Sequence, residues 1–421
     1  MLREMESVSR DQVGAAGSSC AQRIGLARLA KMAFTGMDLR PLWRTLIGKL
    51  TDGTAEAGER IDLALIAQLL GDKRTGLAIQ DEILASQQLF RSPCLVAKPR
   101  LRVLALSAAT DIGSNTPIDF LLEESGIELT TLYVVPHVDM PELLPDHDVA
   151  IVIASDSEEC RDALCKIASA ASRWPRPLLN PPHLVGNLDR DKLHRLLCGI
   201  EGLEIPATTA ASRAQLSMLS DSSLGPGDIT ADLAFPIIVR PRGSHAGVGL
   251  AKLDDRAAIT RYLDERQEQE FFISRFVDYS DSDGLFRKYR IVFVDGRPYA
   301  VHMAIADRWD IWYLNAGMSI SAATRLEEEN FMCAFDIGFA RRHATALAGI
   351  ADRVGLEYFI VDCAENEDGE LLIFEIDNTA IVHNMDSPDI FPYKPPQMRK
   401  IFGAFAAMLC RRAGQSREQG A

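Results

Sequence analysis

The chain of 421 residues is 47% hydrophobic and 25% charged, which is apolar material enough for roughly two to three domains with their own cores. Its formal net charge of −14 excludes nucleic acid or an anionic membrane as the principal partner, because contact with phosphate requires a basic surface. No run of about 18 apolar residues occurs, the first residues lack the apolar core of a signal peptide, and the eight cysteines include no C-x-x-C, so a cytoplasmic protein with free thiols is expected.

Residues 1–20 are polar and Gly/Ser-containing and are expected to be disordered. From 21 to 97 apolar residues recur at three- and four-residue spacing in RIGLARLAKMAF, LRPLWRTLIGKL, IDLALIAQLLG and TGLAIQDEILASQQLFR, which predicts helices throughout. The last two, joined by Gly71-Asp72-Lys73, resemble a tetratricopeptide hairpin, a packing cap or a surface for a protein partner. From 99 to 182 strands (101–107, 128–135, 148–154) alternate with helices (116–125, 157–173), the pattern of a small parallel α/β domain. No G-x-G-x-x-G follows its first strand, so a dinucleotide site is not expected, and His137 and His147 read as surface turn residues.

Asp191-Lys192-Leu193 opens a helix, and FPIIVRPRGSHAGVGLAKL (235–253) predicts two strands around a tip of small residues. Gly243, Ser244 and Gly247 there would let backbone N–H groups approach phosphate oxygens, although no G-K-[ST] makes it a P-loop. An apolar strand at 270–278 follows, and FRKYRIVFVDGRPYAVHMAI (286–305) predicts another strand pair, turning at Asp295-Gly296. Next come the polar-aromatic loop ADRWDIWYLNAGM and helices at 321–335 and 338–354.

In YFIVDCAENEDGELLIFEIDN, Asp368-Gly369 predicts a two-residue type I′ turn. Counting outward from it, Asp362 falls across from Glu375, and Asp377 shares the face of Glu375. Carboxylates facing one another between apolar strands need a cation or a proton, and hard oxygen donors suit Mg²⁺ arriving with a nucleotide.

Asp362 followed by Glu375-x-Asp377 resembles the metal-binding end of ATP-grasp ligases of the RimK and D-alanine–D-alanine ligase type, with Asp377 where that family usually has Asn. Because Asn378 follows, either Asp377 or Asn378 is expected to complete a metal set with Asp362 and Glu375. The resemblance implies an ATP-grasp fold of two α+β lobes, 183–283 and 284–412, preceded by the small α/β domain and the all-α region. It implies phosphate contacts from Lys192 and from Arg240, which replaces the family lysine, with Gly243, Ser244 and Gly247, and with Arg242 and His245 as further candidates. It implies an adenine hinge at Ile273, Ser274, Phe276 and Val277, with Asp278 near ribose and Asp281 a solvated loop residue. Arg290, Arg308 and Asn315 are implied at the triphosphate, metal or acyl group, Lys288 stands where the family has an acid, and Trp309, Trp312 and Tyr313 are expected to close over substrate.

Residues 383–386, His-Asn-Met-Asp, replace the Ser-Pro-Gly that often shapes the acceptor. The implied activity is ADP-forming ligation of a carboxylate to an amine, small molecule or peptide, with ATP and Mg²⁺, through an acyl phosphate. A homodimer is compatible with this reading. The other readings are a nucleotide-binding adaptor that works through its helices and a phosphotransferase acting on a hydroxyl.

Overall fold

The computed structural model describes residues 20–244, 247–312 and 315–419, so all but the last residue of the expected disordered tail, together with His245 and Tyr313, lies outside the described residues. A six-stranded sheet has the order Ala21–Gln22, Leu89–Arg91, Ile127–Val134, Leu101–Ala108, Val149–Val152, Leu178–Leu179, and its last four strands are parallel. Leu101–Ala108 and Val149–Val152 are buried along almost their whole length, as strands covered on both faces must be. The helix expected over 116–125 is reduced to Ile118–Leu121. Upstream, Asn115 bonds back to the N–H and C=O of Ala108, at 2.8 and 3.2 Å.

The four expected N-terminal helices form at Leu26–Phe34, Arg40–Thr51, Ala57–Leu69 and Lys73–Leu84. The region is not helical throughout, however. Leu89–Arg91, expected as the end of a helix, pairs antiparallel with Ile127–Val134, and Ala21–Gln22 pairs parallel with it. Burial of Phe90 against the Tyr133 ring, 5.8 Å between centroids, overrides the local helical pattern. Beside it Arg23 is buried and donates to Tyr133, Thr131 and Ser92, while Asp62 accepts from the N–H groups of Ile24 (2.6 Å) and Gly25 (3.1 Å). The helices are thereby locked onto the α/β domain. His147 is also buried, between the carbonyl of Pro145 and the indole N–H of Trp174, rather than exposed in a turn.

The second sheet is antiparallel, in the order Ala251–Leu253, Ile237–Pro241, Glu270–Arg275, Thr209–Ser212. Helices Arg213–Ser220 and Arg256–Asp264 give it a core of its own around Leu216, Val239, Ile259 and Ile273. The third sheet runs Arg297–Ala306, Phe286–Val294, Tyr358–Glu365, Leu371–Asp377, with Leu203–Glu204 parallel at its edge. Its core is continuous with that of the α/β domain. Asn180, fully buried, bonds the backbone of Tyr358 in both directions, at 2.8 and 3.1 Å. The mixed α/β and α+β class expected from the sequence is the class observed. All eight cysteines are free, and no helix among the described residues is long and apolar enough to cross a membrane.

Candidate active site

The hairpin of the third sheet places Asp362 across from Glu375 and Ile360 across from Asp377. It does so by a different route from the expected two-residue turn. Asn366 pairs with Glu370, and of the turn residues only Gly369 has a positive φ, 75°. The loop is therefore one residue longer than a type I′ turn, as in hairpins that place glycine at the left-handed position. A bulge after Asp362 shifts the register back by one.

Both oxygens of Asp362 are engaged by cations from the neighbouring strand. Arg290, directly across, donates through Nε (2.7 Å) and Nη2 (2.9 Å), and Lys288 Nζ lies 2.8 Å from Oδ2. Burial alone would raise the Asp362 carboxyl, but Arg290 and then Lys288 hold it far below the usual carboxylate range. Glu375 is paired with Arg190, whose guanidinium also donates to the carbonyl of Phe374 at 3.2 Å. Asp377 accepts from the N–H and hydroxyl of Thr379, at 2.6 and 2.8 Å, and its carboxyl is raised by burial and by Glu375. Asn378 turns away: its side-chain amide donates to the carbonyl of Ala154 at 2.9 Å, and its backbone carbonyl accepts from the Thr116 hydroxyl at 2.6 Å. Its side chain ties the α/β domain to this lobe.

The expected phosphate lysine is displaced. Lys192 donates to the carbonyl of Gly186 at 2.6 Å and lies 4.0 Å from Asp156, so it faces the α/β domain. Two residues on a helix are separated by about 200°, and it is Arg190 that faces the carboxylates. Arg240, on Ile237–Pro241, is half-buried and bonded to the hydroxyl (3.3 Å) and carbonyl of Ser244. Burial, and then the charge of Arg190, bring its guanidinium down to about 10. Arg190, Arg240, Lys288 and Arg290 all act electrostatically on Glu375 or its carboxylate neighbours, so three separate chain segments contribute to one cationic cluster. Among these, Arg190 is a residue that motif spacing did not single out, and Lys288 is the residue that stands where the resemblance places an acid. His302 pairs with Arg290 on the next strand and is held neutral by burial and by the Arg290 charge.

At the glycine-rich tip, Gly243 and Gly247 have φ near 74° with open space where a Cβ would stand. Gly249 is packed instead, since a Cβ there would lie 2.6 Å from Pro241. Arg242 points to Asp189, 3.9 Å away. The hinge residues divide. Ile273 is paired on both edges, with Thr209 and Val239, and Ser274 pairs with Ile238. The Phe276 N–H donates to the Pro236 carbonyl at 2.8 Å, and Val277 packs in a small cluster with Tyr279. Backbone groups of Ile273 and Phe276 are thus committed to the lobe itself. What the hinge offers is a ring: Phe276 stands edge-on to Trp309 at 5.8 Å, with Lys252 Nζ 4.1 Å above its face. Asp278 caps Ser280, and Asp281 lies 3.5 Å from Arg287.

Arg308 and Asn315 are not brought to the cluster. Arg308 pairs with Asp310, and Asn315 donates to the Asp310 carbonyl (2.9 Å) while accepting from the Trp312 N–H (2.9 Å), so both shape their own loop. Trp309 is packed, and among the described residues of the segment Trp312 is an exposed aromatic.

The expected set, Asp362 and Glu375 completed by Asp377 or Asn378, is accordingly not gathered by the side chains. Among the described residues no three Asp, Glu, His or Cys side chains stand together so as to hold an ion. Asp362 and Glu375 nonetheless fit Mg²⁺ in donor type and in facing one another, since that ion ordinarily takes one or two carboxylates and completes its shell with phosphate and water. Asn378 does not fit, and Asp377 is occupied by Thr379.

No protein-family model matches the chain, and no curated sequence matches it significantly. Solved structures do align with it. They include a RimK domain ATP-grasp protein from Sphaerobacter thermophilus, at 18% identity over 73% of this chain and 99% of that one, with a TM-score of 0.41. A D-alanine–D-alanine ligase from Bacillus anthracis complexed with ATP aligns at 13% identity over 76% and 99%, TM-score 0.44. The D-alanine–D-alanine ligase from Coxiella burnetii aligns at 10% identity over 76% and 98%, TM-score 0.46.

Proposed function

We propose that the chain is an ATP-grasp enzyme that joins a carboxylate to an amine at the expense of ATP, releasing ADP. The observation that carries this reading is the cluster of Arg190, Arg240, Lys288 and Arg290 around Asp362 and Glu375. Half-buried cations in this number, drawn from both lobes and from the helix that precedes the nucleotide lobe, suit a polyphosphate, which Arg can grip bidentately. The ordered sequence resemblance from Lys192 to Asp377 supports the same assignment. Locking of the helical region onto the α/β domain speaks against an adaptor that works through free helices.

In this reading Arg240 and the open tip at Gly243 and Gly247 receive the nucleotide phosphates, and Phe276 with Trp309 flanks the base. Arg290 and Lys288 hold Asp362 ionised and stand ready to turn toward the transferring phosphoryl group. Asp362 and Glu375 would hold Mg²⁺ brought in with ATP, which supplies neutralisation of phosphate charge. A carboxylate oxygen attacks the γ-phosphorus and ADP leaves. The amine nitrogen then attacks the acyl carbon, loses a proton and expels phosphate carrying that oxygen.

The test is product analysis over a panel of carboxylates and amines. ADP and phosphate should appear only with the carboxylate present, hydroxylamine should divert the intermediate to a hydroxamate, and carboxyl-¹⁸O should enter the phosphate. AMP and pyrophosphate, or a stable phosphorylated alcohol, would overturn the ligase assignment.

A further inference from the structure

Resting on the ligase reading above, we infer that the N-terminal helical region forms a wall of the site for the non-nucleotide substrate, and that Phe34 selects a substrate bearing an aromatic or bulky apolar side chain. His383 follows the carboxylate strand by six residues and feels the charges of Asp386, Lys394 and Arg290. It therefore adjoins the cationic cluster where the chain leaves the carboxylate strand. The reacting carbonyl must lie against the γ-phosphate, so the second substrate belongs beside this cluster.

There His383 is wedged between two rings, Phe120 of the α/β domain at 6.4 Å and Phe34 of the helical region at 5.7 Å. Phe120 is fully buried, whereas Phe34 is 49% exposed and so presents a free face. Met37, three residues on, and Ile381, two before His383, are also about half exposed and make the rim apolar.

The wall is fixed at both ends. Asp62 holds the N–H groups of Ile24 and Gly25 at the start of helix Leu26–Phe34, and at about 1.5 Å per residue its nine residues carry Phe34 to the loop. The loop is held by the Met385 N–H on His383 Nδ1 (3.1 Å) and by Asp386 on buried Lys394 (3.0 Å). An aromatic ring presented on rigid supports is a specificity element of low entropic cost.

The experiment measures ADP release by the full chain over amino acids of graded side chain, from glycine to phenylalanine and tryptophan, each supplied with carboxylate or amine partners. Wild type should favour the aromatic and bulky apolar members. Phe34→Ala should raise KM for those by about tenfold, the scale on which hydrophobic pockets discriminate, with KM for ATP and turnover of the small members unchanged. Phe34→Tyr, which keeps the ring, should retain the wild-type ranking. If Phe34→Ala keeps that ranking while turning over, the wall does not select substrate, and this inference fails alone. If wild type releases no ADP with any member, the ligase reading fails and takes this one with it.

Discussion

Arg190, at the first position of the short helix between the α/β domain and the nucleotide lobe, is ion-paired with Glu375 on the last long strand of the third sheet. The pair joins three parts of the molecule at the point where phosphate is proposed to bind. Exchanging a carboxylate partner for a phosphate leaves a guanidinium's hydrogen bonding intact, so Arg190 can change partners when nucleotide arrives.

Arg190→Ala should therefore weaken ATP binding by about tenfold or more, the worth of one hydrogen bond to a charged group. Lys192→Ala should change it by no more than about twofold, since Lys192 is turned to Gly186. Titration of the two variants with ATP decides between them. A larger loss in the Lys192 variant would return the phosphate role to that residue.

Asp362→Asn should cost stability as well as activity. Asp362 is 2% exposed and neutralises Arg290 and Lys288 together, so removing its charge leaves two cations uncompensated, at about 3–5 kcal/mol. From the sequence alone, mutual repulsion of the carboxylates would make the same change neutral or stabilising. The pH dependence has a definite sign. The folded pKa is depressed, so the stabilisation is present above the unfolded value near 4 and is lost only as pH falls below it toward strong acid. Denaturant unfolding at neutral pH should show the deficit in full. Equal stability of variant and wild type would mean that the cations are satisfied by other groups.

The facing of Asp362 and Glu375 was legible because apolar residues flank an Asp-Gly turn, yet the turn type was not. One extra loop residue and one bulge offset each other, and neither leaves a mark in the residue pattern. Lys192 matched a motif while Arg190, two positions earlier, faces Glu375, because a motif fixes the helix but not which face it turns inward. The strand at Leu89–Arg91 was hidden because its partners, Thr130 to Leu132 and Ala21–Gln22, are distant in sequence. Arg308 and Asn315 were misplaced because Asp310, between them in the chain, offers nearer partners than any phosphate.

A second titration should be visible in weak acid. Burial raises the Asp62 carboxyl to about 6, against the N–H groups of Ile24 and Gly25 that favour its ionised form. A raised folded pKa gives stability that is full below the unfolded pKa, near 4, and is lost as pH climbs through about 6. Relative to Asp62→Asn, wild type should lose up to about 3 kcal/mol between those values and remain level above pH 7. Asp156, whose carboxyl burial also raises to about 6, is common to both proteins and cancels in the difference. Parallel stability curves from pH 4 to 7 would show that Asp62 keeps one protonation state throughout.

The glycines of the tip should separate into structural and ligand-facing roles. At Gly249 a methyl group would meet Pro241 Cδ at 2.6 Å and Cγ at 2.7 Å, in a residue with φ of 71°. Clash and left-handed backbone act together there, so Gly249→Ala should lower stability by about 2–4 kcal/mol. It should also displace Pro241, and with it the neighbouring Arg240. At Gly243 the same methyl meets nothing within 4 Å, and only the φ of 74° opposes it, at about 1–2 kcal/mol. The methyl does, however, occupy the space through which backbone N–H groups would reach phosphate, so Gly243→Ala should weaken ATP binding out of proportion to its effect on folding. Urea unfolding and nucleotide titration of both variants give the comparison. The assignment of the tip to phosphate fails if Gly243→Ala binds ATP as wild type does while Gly249→Ala loses stability as expected.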